Sequence, residues 1–159
     1  MSKIDWPKLL TAIISVLIAS TLGGLLTAAS VTNWYPNINK TALTPPSWLF
    51  GPVWSILFIM MAIALYLAWS SGRNKQKTRR KAAYLFFGQL AANVAWSGIF
   101  FGLQQIGLAF IEIIFLLILI IYTLLAFYRL NKTAGWLMMP YFLWVCFAAT
   151  LNFSLWLAN

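Results

Sequence analysis

Histidine is absent from this chain of 159 residues, which also contains only one cysteine and two acidic residues. Without histidine, imidazole metal ligands and a histidine general base are excluded. The single cysteine, Cys146, cannot form an internal disulfide bond and indicates no redox compartment. Two carboxylates are too few for a proton relay across a membrane. The sequence also shows no metal-binding cluster, phosphate-binding loop or nucleophile motif.

Charge of either sign is scarce as well. Charged residues make up 8% of the chain and hydrophobic residues 62%, whereas soluble domains have about 25% and about 45–50%. Such a chain has too few polar side chains to cover a water-facing surface, so its solvent is lipid. The net charge of +9 does not favour nucleic acid as a partner, because the basic residues lie between apolar segments and not on a folded basic face.

Five long apolar runs account for most of the chain. They cover residues 9–30, 45–70, 82–103, 108–130 and 134–157. Each run is long enough for a helix that crosses the hydrocarbon core of about 30 Å, and none alternates in polarity as a membrane β-strand would. The sequence therefore predicts an all-α integral membrane protein, in which residues 1–159 form a single five-helix domain.

The basic residues divide unequally between the two sides of such a bundle. A polar loop at residues 31–44 follows the first span, and a basic loop at residues 72–81 follows the second. With five spans, Lys40 is the only Lys or Arg on the side of the polar loop. The positive-inside rule then predicts a cytoplasmic N-terminus and an external C-terminus. The basic loop has a second interpretation, as a binding site for anionic lipid headgroups.

Tryptophan is abundant, with nine residues in the chain. Six lie near span ends, where Trp anchors helices at the membrane surface; they are Trp6, Trp34, Trp48, Trp69, Trp136 and Trp156. Trp54, Trp96 and Trp144 lie deeper, roughly 10–20 Å below the side of the polar loop. Asn93 shares a helical face with Trp96. These residues indicate a pocket under the polar loop. Alternatively, the three tryptophans pack in the core and Asn93 forms a hydrogen bond between helices.

Two further features leave alternatives open. Glu112 is the only acid inside a span, so it is a functional candidate by residue type, although at a depth of roughly 7 Å it can also reach the interface. Small residues recur at four-residue spacing in the first and third spans, as at Gly24/Ala28 and Gly98/Gly102. This spacing allows close helix contact within the bundle or across a dimer, and we expect one of these faces to form a dimer contact.

Three blocks of sequence resemble the tryptophan-rich sensory protein / translocator protein family, also called the peripheral benzodiazepine receptor family. The first block is Trp34-Tyr35 with residues 44–54, which read TPPSWLFGPVW. The second joins Asn93 and Trp96 to Phe100-Phe101. The third is PYFLW at residues 140–144, followed by Phe147, Ala148, Leu151 and Asn152. The resemblance covers almost the whole chain. It implies a five-helix bundle that is usually a homodimer. It also implies a bacterial-type member of the family, located in the cell membrane.

The resemblance also implies a ligand. Members of the family bind tetrapyrroles such as protoporphyrin IX, and drugs of the benzodiazepine or isoquinoline type, in a pocket under the first loop. No cofactor is required. Carried over by motif, the lining of the pocket here would be Tyr35, Pro45, Phe50, Trp54, Phe58, Asn93, Trp96, Trp144 and Ala148. Aromatic walls suit a flat macrocycle, and without histidine a metal-free porphyrin is the more natural guest.

Three functions compete at this point. The first is a membrane receptor, sensor or carrier that binds a tetrapyrrole. The second is a light-dependent enzyme that breaks down porphyrin, with Trp54 or Trp144 exchanging an electron or reactive oxygen with the excited ligand. The third, an ion- or proton-coupled transporter that uses Glu112, is the weakest, because transporters usually show internal repeats or broken helices. The sequence does not choose between the first two.

Overall fold

The computed structural model describes residues 4–71 and 76–159. Five long helices make up most of this part of the chain, and it contains no strand. They are α1 (Trp6–Asn33), α2 (Phe50–Ser70), α3 (Gln76–Ser97), α4 (Ile106–Leu130) and α5 (Lys132–Ala158). All five are long and apolar enough to cross a membrane. The predicted all-α, five-helix membrane fold is therefore confirmed.

The start of the second helix differs from the prediction. The sequence places Pro45 and Pro46 in its first turn, but α2 begins at Phe50 after a 3-10 turn at Ser47–Leu49. Pro46 has an extended backbone, with φ −56° and ψ 136°. A residue before proline is pushed out of the helical region, so Pro45 does not start a helix here.

The third helix begins earlier than predicted. The basic loop was assigned to residues 72–81, but residues 76–81 already form the first turns of α3. Residues 72–75 of that predicted loop lie outside the described residues, as does Lys3. The first helix is also extended, since residues 31–33 of the predicted polar loop belong to α1.

Side-chain caps fix the starts of α1 and α5. The Asp5 carboxylate accepts a hydrogen bond from the Lys8 backbone N–H at 3.4 Å and pairs with the Lys8 ammonium at 2.6 Å. These contacts with Lys8 hold the pKa of the Asp5 carboxyl below its ordinary value. The Asn131 side chain accepts from the Ala134 N–H at 3.2 Å. Both arrangements satisfy backbone donors that a helix start otherwise leaves open.

A single residue, Asn131, joins α4 to α5, so the two helices form a tight antiparallel hairpin. Gly135 makes the close approach possible, since a Cβ there would lie 2.8 Å from the Tyr128 Cα. That distance is shorter than real Cβ contacts allow, and the atom it meets is backbone. Any side chain at position 135 would therefore push the two helices apart.

The end of α3 widens into a π-helical segment, Gly98–Gly102. The Leu103 N–H bonds the Gly98 carbonyl oxygen at 2.8 Å, five residues back. Gln104 then adopts a left-handed conformation, with φ 58°, at the turn into α4. A π segment changes the direction of the side chains that follow it. Here it places Phe100 and Phe101 side by side, with ring centroids 4.8 Å apart.

A polar group of three side chains joins α3 to α5 inside the apolar core. The Tyr141 hydroxyl donates to Gln89 Oε1 at 2.9 Å and accepts from Asn93 Nδ2 at 3.3 Å. All three residues are buried. Because an amide in an apolar interior is costly without a partner, this triad fixes the rotation of α3 against α5.

The tryptophans predicted at span ends divide into two groups. Four of them point outward and are largely exposed, as a membrane-surface position requires; they are Trp6, Trp48, Trp136 and Trp156. Trp34 and Trp69 are half-buried instead. Trp34 packs edge-on against Phe100 at 5.6 Å, and Trp69 lies 6.1 Å from Phe87. These two therefore contribute to packing as well.

Candidate ligand-binding cavity

A cavity of about 350 Å³ lies between α1, α2, α3 and α5, under the loop that follows α1. Its size is in the range of small-molecule sites, which are about 300–1,000 Å³. It is lined by Ser20, Gly23, Gly24, Thr27, Val31, Tyr35, Ser47, Phe50, Gly51, Trp54, Ser55, Phe58, Asn93, Trp96, Ser97, Phe101, Trp144 and Ala148. The structure thus brings together every predicted lining residue except Pro45.

Pro45 is not among the residues that line the cavity, and its predicted contact with a ligand stays a prediction. The chain makes a 3-10 turn before α2, and this turn presents Ser47 to the cavity in place of the proline. For the other predicted residues the placement agrees with the expectation. That they bind a ligand stays a prediction.

One wall of the cavity is made of aromatic rings from α2 and α5. Trp54 lies 5.5 Å from Phe58, one turn further along α2, and 6.1 Å from Tyr141. Phe50 meets Trp144 edge-on at 6.0 Å. These separations fall in the range of about 4.5–7 Å at which aromatic pairs attract one another. The rings therefore support each other and present a continuous apolar wall.

Trp96 lines the cavity from α3, and two contacts fix the orientation of its ring. It stacks on Phe100 at 5.1 Å with an angle of 23° between the rings. Its indole N–H donates to Asn152 Oδ1 at 3.1 Å, while the Asn152 amide donates to the Ile106 carbonyl oxygen at 2.9 Å. Asn152 is buried. This amide therefore orients the indole and secures the start of α4 at the same time.

Asn93 provides a polar side chain deep in the cavity. It is 5% exposed and belongs to the triad with Gln89 and Tyr141. The sequence pattern indicates Asn93 as a pocket residue but does not indicate its two partners. Gln89 lies four residues earlier, on the same helical face, so the spacing of the two amides was the available signal. Nothing in the sequence pointed to Tyr141 as their common partner.

The contribution of α1 was also missed. Ser20, Gly23, Gly24 and Thr27 line the cavity from this helix. Gly24 faces open space, because a Cβ there would meet no atom within 4 Å, whereas a Cβ on Gly23 would lie 3.6 Å from Ser97 Oγ. The small residues of α1 therefore border the cavity and the contact with α3. No contact between copies of the chain tests the predicted dimer face.

The loop after α1 covers the cavity and is attached at two points. Tyr35 is buried against Phe100 and Phe101, with ring centroids at 6.4 and 5.9 Å, and the Lys40 ammonium lies 5.4 Å from the Tyr35 ring centroid. Burial raises the pKa of the Tyr35 hydroxyl. Further along, the Asn39 N–H donates to Asn159 Oδ1 at 2.9 Å. The loop is thus tied both to the π segment and to the end of α5.

Asn39 makes three hydrogen bonds to the end of α5, two of them with Asn159. Besides the bond above, the Asn39 amide donates to the Ala158 carbonyl oxygen at 2.9 Å, and the Asn159 amide donates to the Asn39 carbonyl oxygen at 3.1 Å. The hydroxyls of Thr41 and Ser154 add a contact at 3.1 Å. These side chains are exposed or partly buried, so the cover is held by polar bonds that water can replace.

Glu112 does not line the cavity. Its side chain is half-buried, and the Oε2 atom is buried without a hydrogen-bond partner among the described residues. This oxygen therefore points toward other side chains of the bundle, and the interfacial position of Glu112 stays a prediction. Glu112 has no described contact with the cavity or with a second acid.

Taken together, five membrane-crossing helices around an aromatic cavity with a loop cover define a small multi-pass integral membrane protein with a ligand-sized internal site. Residues 11–157 match the model of the TspO/MBR family. The chain belongs to this family.

Several relatives are similar over nearly their full length. The "Tryptophan-rich protein TspO" of Archaeoglobus fulgidus is 42% identical over 152 residues, which cover 96% of this chain and 97% of that protein. The "Translocator protein" of Sus scrofa is 33% identical and the match covers 96% and 92% of the two chains. The "Tryptophan-rich sensory protein" of Cereibacter sphaeroides is 31% identical, with 96% and 91% covered. The resemblance found in the sequence is confirmed.

Proposed function

We propose that this protein binds a tetrapyrrole such as protoporphyrin IX in the aromatic cavity and acts as a membrane receptor, sensor or carrier. One observation supports this most directly: Trp54, Trp96 and Trp144 line a single cavity together with the buried amide of Asn93. Relatives named as translocator and sensory proteins agree with a role of this kind.

The chemistry of the cavity suits a flat, mostly apolar ring. Indole and phenyl rings offer stacked and edge-on contacts to a macrocycle, while few polar groups remain to fix its orientation. Asn93 supplies such a group at the deep end. Lys40, beside Tyr35 in the cover, offers a positive charge near the mouth. A ligand with an apolar ring and carboxylates at one edge is complementary to this arrangement.

The first experiment is a titration of the purified protein in detergent with protoporphyrin IX, followed by quenching of tryptophan fluorescence. Trp54→Phe keeps a ring but loses the indole. Since aromatic contact contributes about 0.5–1.5 kcal/mol beyond burial, we expect affinity to fall by roughly 2- to 12-fold. Trp136→Phe is the matched control, because Trp136 is 62% exposed and does not line the cavity.

The control should change affinity by less than about twofold. Equal affinities of Trp54→Phe and the wild type would contradict binding in this cavity, as would equal losses in Trp54→Phe and Trp136→Phe. Both variants retain the same number of aromatic rings, so a difference between them reports position and not composition.

A second candidate function is light-dependent breakdown of the bound porphyrin. The observation that favours it is the position of two electron-rich indoles, Trp54 and Trp144, in the cavity wall. Illumination of the complex in air should then reduce the Soret absorbance of the porphyrin and yield a defined product. Stable absorbance under light would support binding without breakdown. Loss of absorbance with the wild type but not with Trp54→Phe would support the enzymatic function.

A further inference from the structure

A second, open groove lies at the opposite end of the bundle from the loop cover. It has a volume of about 610 Å³ and is bordered by the start of α1, the end of α2 and the start of α3. Its lining is Pro7, Lys8, Thr11, Trp69, Gln76, Arg79, Arg80, Ala83, Tyr84 and Phe87. None of these residues lines the aromatic cavity, so the groove is a separate site.

The α3 side of the groove is one helical face with a graded composition. Its members recur at three- and four-residue spacing from Gln76 to Phe87, which places them in one line along the helix. Arg79 and Arg80 come first, and Ala83, then Phe87, follow toward the middle of the span. Arg80 and Phe87 are separated by roughly 10 Å along the axis. The groove is therefore cationic at the membrane surface and apolar below it.

Within residues 4–71 and 76–159, each arginine of the groove donates one side-chain hydrogen bond, which leaves further N–H donors for a ligand. Arg79 Nη1 donates to the Trp69 carbonyl oxygen at 3.3 Å. Arg80 Nε donates to the Tyr84 hydroxyl at 3.1 Å, and its guanidinium lies 5.7 Å from the same ring centroid. Each of these bonds uses one of the five N–H groups of a guanidinium. Both contacts also hold the arginines in place at the rim.

Lys8 adds a third cation from α1, facing the two arginines. It is paired with Asp5 at 2.6 Å, so its charge is partly compensated. Among the described residues that line the groove none is acidic, and their charge is positive. Below the cations, Trp69 and Phe87 lie 6.1 Å apart and form an apolar floor.

We propose that this groove binds an anionic phospholipid, with the headgroup phosphate at Arg79 and Arg80 and an acyl chain against Trp69 and Phe87. Guanidinium forks match phosphate oxygens in geometry and charge. The apolar floor continues into the span, which a soluble anion would leave uncovered. A zwitterionic lipid would bring its own cation to the basic rim, so the groove favours a lipid with net negative charge.

The proposal is tested by native mass spectrometry of the intact, detergent-solubilised protein with equal amounts of phosphatidylglycerol and phosphatidylcholine. We expect the wild type to retain phosphatidylglycerol preferentially. Arg79→Gln/Arg80→Gln should weaken that lipid about 25-fold, since each cation near an anionic headgroup contributes about fivefold. The matched control is Lys77→Gln/Lys81→Gln, which removes two exposed charges from the same turns of α3 outside the groove lining.

Three results would overturn the proposal. Equal retention of both lipids by the wild type, an observation that needs no variant, would show that there is no anionic site. Equal losses in the two double variants would show diffuse attraction to surface charge. Displacement of the lipid by millimolar inorganic phosphate would identify the groove as a site for a soluble anion. A melting temperature for each variant within a few degrees of the wild type ensures that the comparison is made on folded protein.

Discussion

The bond between Trp96 and Asn152 gives the sharpest test of how the cavity is built. Asn152→Leu replaces the amide with an apolar side chain of similar size and removes the acceptor of the indole N–H. It also removes the donor to the Ile106 carbonyl oxygen. The free energy of unfolding should therefore decrease, and the wall formed by Trp96 should lose its fixed orientation.

The expected size of these effects follows from the apolar membrane environment of the bond. Hydrogen bonds between membrane helices contribute about 0.6 kcal/mol on average and about 1.7 kcal/mol at most. We expect the coupling free energy between Trp96→Phe and Asn152→Leu, from a double-mutant cycle, to fall in this range. Reordering one side chain on binding costs about 0.5–1.5 kcal/mol, so Asn152→Leu should also lower porphyrin affinity by roughly 2- to 12-fold.

The assay has two parts. Unfolding in SDS, followed by circular dichroism, gives the stability of the wild type, the two single variants and the double variant. Protoporphyrin titration of the same four proteins gives the affinities. Thr150→Val is the control, because the Thr150 hydroxyl bonds only within α5, to the Cys146 carbonyl oxygen, and faces outward.

Additive effects of Trp96→Phe and Asn152→Leu on porphyrin affinity would refute this role of Asn152. If Asn152→Leu lowers affinity by the same factor in the Trp96→Phe background as in the wild type, the amide does not act through the indole. An unchanged affinity in Asn152→Leu, with stability reduced, would mean that the bond secures the helices but does not prepare the wall.

The remaining predictions concern the helix hairpin, the loop cover and the orientation. Gly135→Ala should destabilise the protein by about 1–3 kcal/mol through overpacking, as measured by SDS unfolding. The control Gly88→Ala, where a Cβ meets open space, should be neutral or stabilising. Equal effects of the two substitutions would contradict the close approach of α4 and α5. Asn159→Ala should accelerate porphyrin dissociation in stopped-flow measurements, because it removes the side-chain bonds to the Asn39 N–H and the Asn39 carbonyl oxygen; an unchanged off-rate would show that the loop does not gate the cavity. A reporter after Asn159 should read extracytoplasmic and one inserted at residues 72–81 cytoplasmic, and the reverse pattern would invert the proposed topology.

The sequence was sufficient for the helix count but not for every helix boundary. Runs of apolar residues separated by polar loops are unambiguous because lipid excludes unpaired backbone groups. Boundaries depend on smaller effects, as at Pro45, where a following proline prevents helical backbone. Gln76 begins α3 although the residues after it are polar and basic, because a helix can extend beyond the hydrocarbon into water.

The cavity was predictable for the residues whose type is unusual at their depth. Trp54 and Asn93 stand out in an apolar helix and indicated a pocket without any structure. Gly24 does not stand out, and its lack of a side chain also suits a close contact between helices. In helices that are apolar on all sides, no hydrophobic face defines the rotation, so the sequence did not show that Gly24 faces the cavity or that Tyr141 meets Asn93.

The one-residue connection at Asn131 has a consequence for biogenesis. Two helices joined by one residue cannot insert into the bilayer one after the other. We therefore expect α4 and α5 to insert together, as a preformed hairpin. Their mutual contacts are local in sequence and therefore form early. The aromatic cavity is instead lined by residues of both α1 and α5, which lie more than 100 residues apart in the chain. The ligand site is thus the last part of the molecule to be assembled, and ligand binding during synthesis would report completion of the bundle.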